Sequence, residues 1–272
     1  MWPFKRGPVV PVVRLTGPIG MATPLRPGLG IATAAGALER AFSLSKTPSV
    51  AIVVNSPGGS PVQSSLIFRR IRQLAEENSK KVHVFCEDVA ASGGYYLALA
   101  GDDIYADASS IIGSIGVISA SFGLDKAIEK LGIERRVYTS GANKGSLDVF
   151  SPEKPDDVER LKAIQRDVHD VFIGIVKERR AGRLRGPDAE LFSGAFWSAA
   201  RSLEFGLIDG PKASLKGVPV APGGLLSRLR RGPMGRIMGG MSAGDGGTAG
   251  LAFADDLVSA VEARALWSRY GL

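Results

Sequence analysis

The sequence predicts an α/β fold, and three observations carry that prediction. Residues 49–54 and 82–85 are short apolar runs rich in β-branched side chains, the pattern of parallel strands buried on both faces. A segment with apolar residues at helical spacing follows the first run, through Val62, Leu66, Ile67, Ile71 and Leu74. Sharp glycine-bearing turns, Asn55-Ser-Pro-Gly-Gly59 and Ser92-Gly-Gly94, stand where strand would pass into helix.

Taken in order, residues 9–15 read as a first strand interrupted by Pro11, and 17–30 as loop, because Gly and Pro dominate it. Residues 32–45 read as helix, 49–54 as the first buried strand and 82–85 as the second. A helix is expected over 95–100, a short strand over 104–106 and another over 115–119 after Gly113. Residues 124–131 form a helical pattern that stops at Gly132, a suitable residue just past a helix end. A strand is expected over 134–138. The longest helical pattern, 155–180, puts Val158, Leu161, Ile164, Val168, Val171, Phe172 and Ile175 on one stripe. Residues 190–208 close the compact part. Ten of the 28 residues in 223–250 are glycine, a composition that cannot offset its ordering entropy and predicts a flexible linker. A last helix is expected over 252–270, with Phe253, Leu257, Val261 and Ala265 on one face. The expected organisation is a main domain over 1–222, a basic glycine-rich linker over 223–250 and a C-terminal helix within 251–272.

Composition narrows the function. The chain has 272 residues, 44% of them hydrophobic, enough for a sizeable core. Its single cysteine, Cys86, rules out an internal disulfide and a multi-cysteine zinc site, and two histidines, His83 and His169, offer little for a metal centre. No apolar run reaches the roughly 18 residues of a membrane span, and no long apolar region follows the charged Met1–Arg6 start, so neither a span nor a signal peptide is expected. The expected location is cytoplasmic. The net charge of +7 is concentrated in the tail, where eight basic and four acidic residues lie from Pro211 onward. No nucleic-acid-reading motif accompanies it, so nucleic acid is not an expected partner. Trp2 and Phe4 beside Lys5 and Arg6, with Arg228, Arg230, Arg231 and Arg236 in the tail, leave peripheral membrane contact open.

Three segments could carry chemistry: residues 55–60, 91–95 and 140–144. Glycine in the first two lets backbone N–H groups approach a ligand with no Cβ in the way. If Ser92 attacks a carbonyl, the N–H of Gly93 and one from the Gly58-Gly59 turn could hold the oxyanion. A serine before Gly-Gly would equally suit a plain helix cap. A serine hydroxyl needs a base. His83 lies in a strand pattern and His169 in a helix, and each reads more simply as structural or surface. A lysine is the other choice, since an amine removed from water and from carboxylates can accept a proton near neutrality. Lys144 sits in Gly-Ala-Asn-Lys-Gly with no acid nearer than Asp148, although a solvated surface charge would look the same.

The ordered set NSPGG (55–59), AASGGYY (90–96), GSIGV (113–117), SGANK (140–144) and FSGAFWSAARSLEFGLIDG (192–210) resembles peptidase family S49, of the signal peptide peptidase A type. The resemblance runs from about Val13 to Gly210. It implies a ClpP/crotonase-like fold of repeated ββα units and a serine endopeptidase with a Ser/Lys dyad, acting on hydrophobic or unfolded peptides. By that resemblance Ser92 is the nucleophile, Lys144 the general base, Ser114 the serine that orients the lysine, and Gly59 and Gly93 the oxyanion-hole amides. Lys144 would take the Ser92 proton as Oγ attacks, return it to the leaving amine, and water would then release the acyl group. Neither cofactor nor metal is required. The resemblance also implies a homo-oligomer whose subunit interface helps to build the site. Many bacterial members carry an N-terminal membrane anchor, and no apolar stretch here matches it. Apolar residues near the turns (Val62, Leu66, Tyr95, Ile111, Ile112, Ile115) point to small or hydrophobic substrate side chains. The alternatives are a crotonase-type acyl-CoA enzyme, with Glu87 and Asp88 as candidate acids, and an inactive scaffold of the same fold. A Ser-His-Asp protease is disfavoured because no histidine occurs between Ser92 and His169.

Overall fold

In the computed structural model, described over residues 9–21, 28–44, 46–211 and 264–270, strand and helix alternate as the sequence predicts. β1 (Val12–Thr16), β2 (Ser49–Ser56), β3 (Lys81–Ala91), β4 (Asp103–Ala106) and β7 (Gly210–Pro211) lie side by side in that order, all parallel. β5 (Ile111–Gly113) pairs in parallel with the far end of β3, and β6 (Phe196–Ser198) pairs antiparallel with β5. The helices are α1 (Ile31–Ser43), α2 (Pro61–Glu77), α3 (Gly93–Ala98), α4 (Asp125–Lys130), α5 (Pro155–Arg179), α6 (Asp188–Leu191) and α7 (Ala199–Glu204).

The continuous apolar run of β2 buries both its faces, from Val50 to Val54. β3 alternates instead. Val82, Val84 and Cys86 enter the core with Leu38, Phe42, Ile67 and Ile71 of α1 and α2, while His83 and Phe85 are half-buried on the opposite face. There His83 faces Asp103, Phe85 stacks near Tyr105, and Arg14 pairs with Glu87.

β3 is the long strand, 11 residues, because it serves two neighbours in succession. Residues 83–86 pair with β4 and residues 89–91 with β5. Two side chains hold the changeover. The Asn55 amide donates to Asp88 Oδ2 (2.6 Å) and accepts from the Val89 N–H (3.2 Å), where the β2–β3 register shifts. On the other side the Ser110 hydroxyl donates to the Glu87 carbonyl (2.5 Å).

Two expected strands are absent. Residues 115–119 and 134–138 have no strand beside them among the described residues, and a β-branched run without a partner cannot form a ladder. The whole stretch 118–145 loops away from the sheet, with Phe122 83% and Tyr138 91% exposed. The stripe of α5 also splits. Phe172 and Val176 are buried, and Phe172 meets the Tyr96 ring at 5.1 Å, whereas Ile164 and Val171 are exposed. The linker 223–250 lies outside the described residues. So does most of the C-terminal helix, of which residues 264–268 are described and helical.

The end of α5 is fastened by charge. Arg180, 1% exposed, donates from Nε to the Gly206 carbonyl (2.8 Å) and from both terminal nitrogens to Asp209 (2.8 and 3.0 Å). The neighbouring Arg179 donates to the carbonyls of Leu99 and Gly101, and Arg72 to that of Ala100, so the three carbonyls just past the C-terminal end of α3 accept from cations. Burial pushes the Asp209 carboxyl up, but the bonds from Arg180 and the Ile104 N–H outweigh it and hold it below the ordinary carboxylate value. Its contribution is therefore present above the unfolded value, about 3.9, and is lost as pH falls below that toward the folded value. We expect Asp209→Asn to cost about 3–5 kcal/mol in urea unfolding, because Arg180 stays buried without its partner. We also expect the variant to lose less stability than the wild type between neutral pH and acid.

Candidate active site

Ser92 stands at the junction of β3 and α3, with backbone angles φ 53 and ψ −123. A non-glycine residue in this region is strained by about 1–3 kcal/mol and persists only where its surroundings fix it. The Ser92 N–H donates to the Gly113 carbonyl (2.8 Å), at the end of β5. Ser114, the residue just after that strand, is itself at φ 54, and its N–H donates to the Ala195 carbonyl (2.7 Å). Two left-handed serines thus meet across the β3–β5 pair. The capping alternative separates cleanly between the two turns. Ser60 caps α2 by accepting from the Gln63 N–H, whereas the Ser92 side chain makes no capping bond to α3.

The 55–59 turn folds directly over Ser92. A Cβ on Gly58 would fall 2.8 Å from Ser92 Cβ and 2.9 Å from the Gly93 nitrogen, so only glycine lets the turn come this close. Gly59 has φ 140, and a Cβ there would meet the Ile19 carbonyl oxygen at 2.1 Å. The motif's polar side chains fix this geometry: buried Ser56 donates to the Gly17 carbonyl and accepts from the Gly58 N–H. Neighbouring amides are likewise engaged, Ile19 to the Gly58 carbonyl and Ser60 to the Ile19 carbonyl. The N–H groups of Gly59 and Gly93 have no acceptor among the described residues. Two free amides beside a serine hydroxyl are the equipment for holding an oxyanion.

Two cavities open from Ser92. The first, about 320 Å³, is apolar and is lined by Val62, Leu66, Tyr96, Val168, Val171 and Phe172 together with Gly59 and Gly93. Of the apolar residues expected near the site, Val62 and Leu66 line it. Tyr95, Ile112 and Ile115 are fully buried in the core, where the Tyr95 hydroxyl donates to the Leu207 carbonyl (2.8 Å), and Ile111 packs beside Tyr270. The α5 contribution was hidden in the sequence, because a stripe at helical spacing does not say which of its residues face a cavity. The second cavity, about 340 Å³, is polar, with Ser92, Ser114, His169, Ser193 and Arg269 on its walls.

The structure thus brings Ser92, Ser114, Gly59 and Gly93 together. Lys144 lies apart: it is exposed on the 118–145 excursion and lines neither cavity. His169, read from the sequence as structural or surface, is at the polar cavity, with Nε2 3.0 Å from the Ile115 carbonyl oxygen. His83 is on the far face of β3. Burial pushes the Cys86 thiol up to about 12, so Cys86 is no competing nucleophile. Among the described residues no group of three or more His, Cys, Asp or Glu could hold a metal, and no helix is long and apolar enough to cross a membrane.

Comparison with known proteins identifies the family. Over residues 75–216 the chain matches the model of peptidase family S49, a span that includes Ser92, Ser114 and Lys144 and leaves Gly59 outside. A Brucella melitensis protein named Na(+)/H(+) antiporter NhaA is 52% identical over 272 residues, covering 97% of this chain and 37% of its own length. The chloroplastic serine protease SPPA of Arabidopsis thaliana is 32% identical over 67% of this chain and 27% of its own. Protease 4 of Haemophilus influenzae is 30% identical over 65% of this chain and 28% of its own. The chain therefore spans well under half the length of these relatives. The family match covers more than half of its residues, and with an α/β fold of the ClpP-like kind the chain belongs to peptidase family S49.

Proposed function

We propose that the chain is a serine endopeptidase that cleaves hydrophobic or unfolded peptides through an acyl-enzyme on Ser92. The observation that carries this reading is the pair of amides without acceptors among the described residues, Gly59 and Gly93, beside a strained serine whose side chain makes no capping bond. Ser92 Oγ attacks the carbonyl, the two amides hold the oxyanion, and an apolar side chain of the substrate fills the cavity formed by Val62, Tyr96 and Phe172. Lys144 is the base and Ser114 orients its amine at the polar cavity. Because Lys144 is solvated on an exposed excursion, it serves as base only when a second copy of the chain delivers it into a neighbour's site and removes it from water. Ile118, Phe122, Leu131 and Tyr138, all exposed on the same excursion, supply the apolar surface for that assembly. The name of the Brucella relatives favours work beside a membrane, although the antiport it describes belongs to proteins of which this chain matches 37%.

One observation favours a second reading. His169, not Lys144, lines the Ser92 cavity within the chain, and a ring whose Nε2 hydrogen bonds the Ile115 carbonyl leaves Nδ1 to accept a proton.

Hydrolysis of fluorogenic peptides and unfolded casein separates these readings. We expect Ser92→Ala and Lys144→Ala to be folded by circular dichroism and inactive alone, and a mixture of the two to regain activity by pairing an intact serine with an intact lysine. A mixture that stays inactive would refute delivery by a second copy. Activity retained in Lys144→Ala and lost in His169→Ala would move the base to the histidine. Turnover by neither, with binding of acyl-CoA, would favour the crotonase-type alternative. Gly59→Ala keeps its N–H, but the added Cβ clashes with the Ile19 carbonyl and displaces the amide, so kcat is expected to fall by about 100-fold or more, as on loss of one oxyanion donor. Phe122→Asp combined with Tyr138→Asp is expected to reduce the mass in sedimentation to that of a single chain and to abolish turnover with it.

A further inference from the structure

We infer that Arg269 makes the polar cavity beside Ser92 a carboxylate-recognition subsite, so that favoured peptides carry an acidic group close to the cleaved bond. The inference rests on the peptidase reading and extends it to the substrate's chemistry. Residues far apart in the chain meet at this cavity: Ser92 and Ser114 from the strand ends, His169 from α5, Ser193 and Gly194 from the loop before β6, and Arg269. Its polar walls are hydroxyls, an imidazole and a guanidinium, and no carboxylate is among them in the described residues. Among the described residues no acid pairs with Arg269, whose one charged-ring contact is the Tyr270 ring at 5.9 Å.

The guanidinium is carried there by an anchored turn. Tyr270, 6% exposed, packs against Val89 and Ala91 of β3 with Ile111 and Trp267 beside it, and its ring meets Phe196 edge-on at 5.0 Å. The Arg269 N–H donates to the Ala265 carbonyl (3.1 Å) and the Tyr270 N–H to that of Trp267 (2.9 Å). The strand residues that carry Ser92 therefore also carry the turn that positions Arg269. An arginine presents a planar fork that matches a carboxylate two bonds at a time, and Arg269, an exposed residue lining the cavity with no acid paired to it among the described residues, is placed to meet an anion there. At about 30 Å³ per water-sized group, the cavity has room for a lysine amine and a carboxylate together. The two cavities then read opposite features of one peptide, an apolar side chain on one side of Ser92 and an acid on the other.

The test uses Ser92→Ala in the full chain, which holds peptides uncleaved. Fluorophore-labelled peptides share one apolar anchor residue and carry Glu or Gln at each of the two positions after it, with a free or an amidated C-terminus. Fluorescence anisotropy is expected to show the Glu peptide binding about tenfold or more tighter than the Gln peptide, with the difference gone in Ser92→Ala/Arg269→Gln and partly kept in Ser92→Ala/Arg269→Lys. Ser92→Ala/Arg269→Glu is expected to prefer a Lys peptide. If the free C-terminus and not the Glu side chain gives the difference, and Arg269→Gln removes it, the subsite holds and reads chain ends. Equal binding of the acidic and neutral peptides, or a preference that survives Arg269→Gln, overturns it. A wild type that cleaves none of these peptides while the binding preference stands would refute the peptidase reading and leave the subsite intact.

Discussion

Strand β3 changes partner part-way along its length, and the position of Ser92 follows from that change. Had the strand kept β4 as its neighbour, its last residues would have run on inside a flat parallel sheet. Instead residues 89–91 pair with β5, and the strand ends against Gly113 and Ser114. The changeover is held from both sides, by the Asn55 amide reaching across from β2 and by the Ser110 hydroxyl filling the gap that β4 leaves. Asn55 belongs to the same turn that brings Gly58 and Gly59 over Ser92, so one short segment fixes both the bend of the strand and the approach of the amides. β5 in turn pairs with β6, whose Phe196 packs on Tyr270, which extends the same support to Arg269.

The strain at Ser92 and Ser114 needs this rigidity. Two non-glycine residues at positive φ, each costing about 1–3 kcal/mol, relax unless their neighbours leave no alternative. The supports act from several directions. The Ser92 amide is tied to Gly113 and the Ser114 amide to Ala195, while the far end of α3 is clamped by Arg72 and Arg179. Behind Arg179, buried Arg180 fixes α5 to the Asp209 loop, and Tyr95 of α3 reaches the Leu207 carbonyl just before it. The hydroxyl of Ser92 is thus presented by a helix that cannot slide and by a strand that cannot straighten.

The parts of this arrangement that could be read from the sequence are local ones. A strand-to-helix turn carries its own signature, since Gly58, Gly59, Gly93 and Gly94 stand where the backbone must come close or turn sharply, and the buried run of β2 announces itself by composition. What escaped the sequence depends on distant partners. Residues 115–119 and 134–138 have the composition of strands, yet a strand exists only beside another, and no strand lies beside them among the described residues. The stripe of α5 predicts a helix, but its spacing cannot tell that Phe172 and Val176 enter the core while Val168 and Val171 form a cavity wall. His169 and Arg269 reach the Ser92 cavity only through the folded chain, and no local pattern marks either residue.

The mismatch between composition and burial on the 118–145 excursion is itself informative. Large apolar side chains in water are tolerated singly, but Ile118, Phe122, Leu131, Ile133 and Tyr138 lie on one continuous stretch that contributes little to the core. Such a segment, with strand composition and no strand beside it among the described residues, offers unpaired backbone to another molecule, as the proposed assembly requires. On that reading the serine, the amides and both cavities are finished within one chain, and the base arrives with the neighbour's unpaired segment. An isolated chain would then hold a preorganised oxyanion site with no proton acceptor from Lys144, and assembly would supply the acceptor and the dry surroundings that a lysine base requires in the same step.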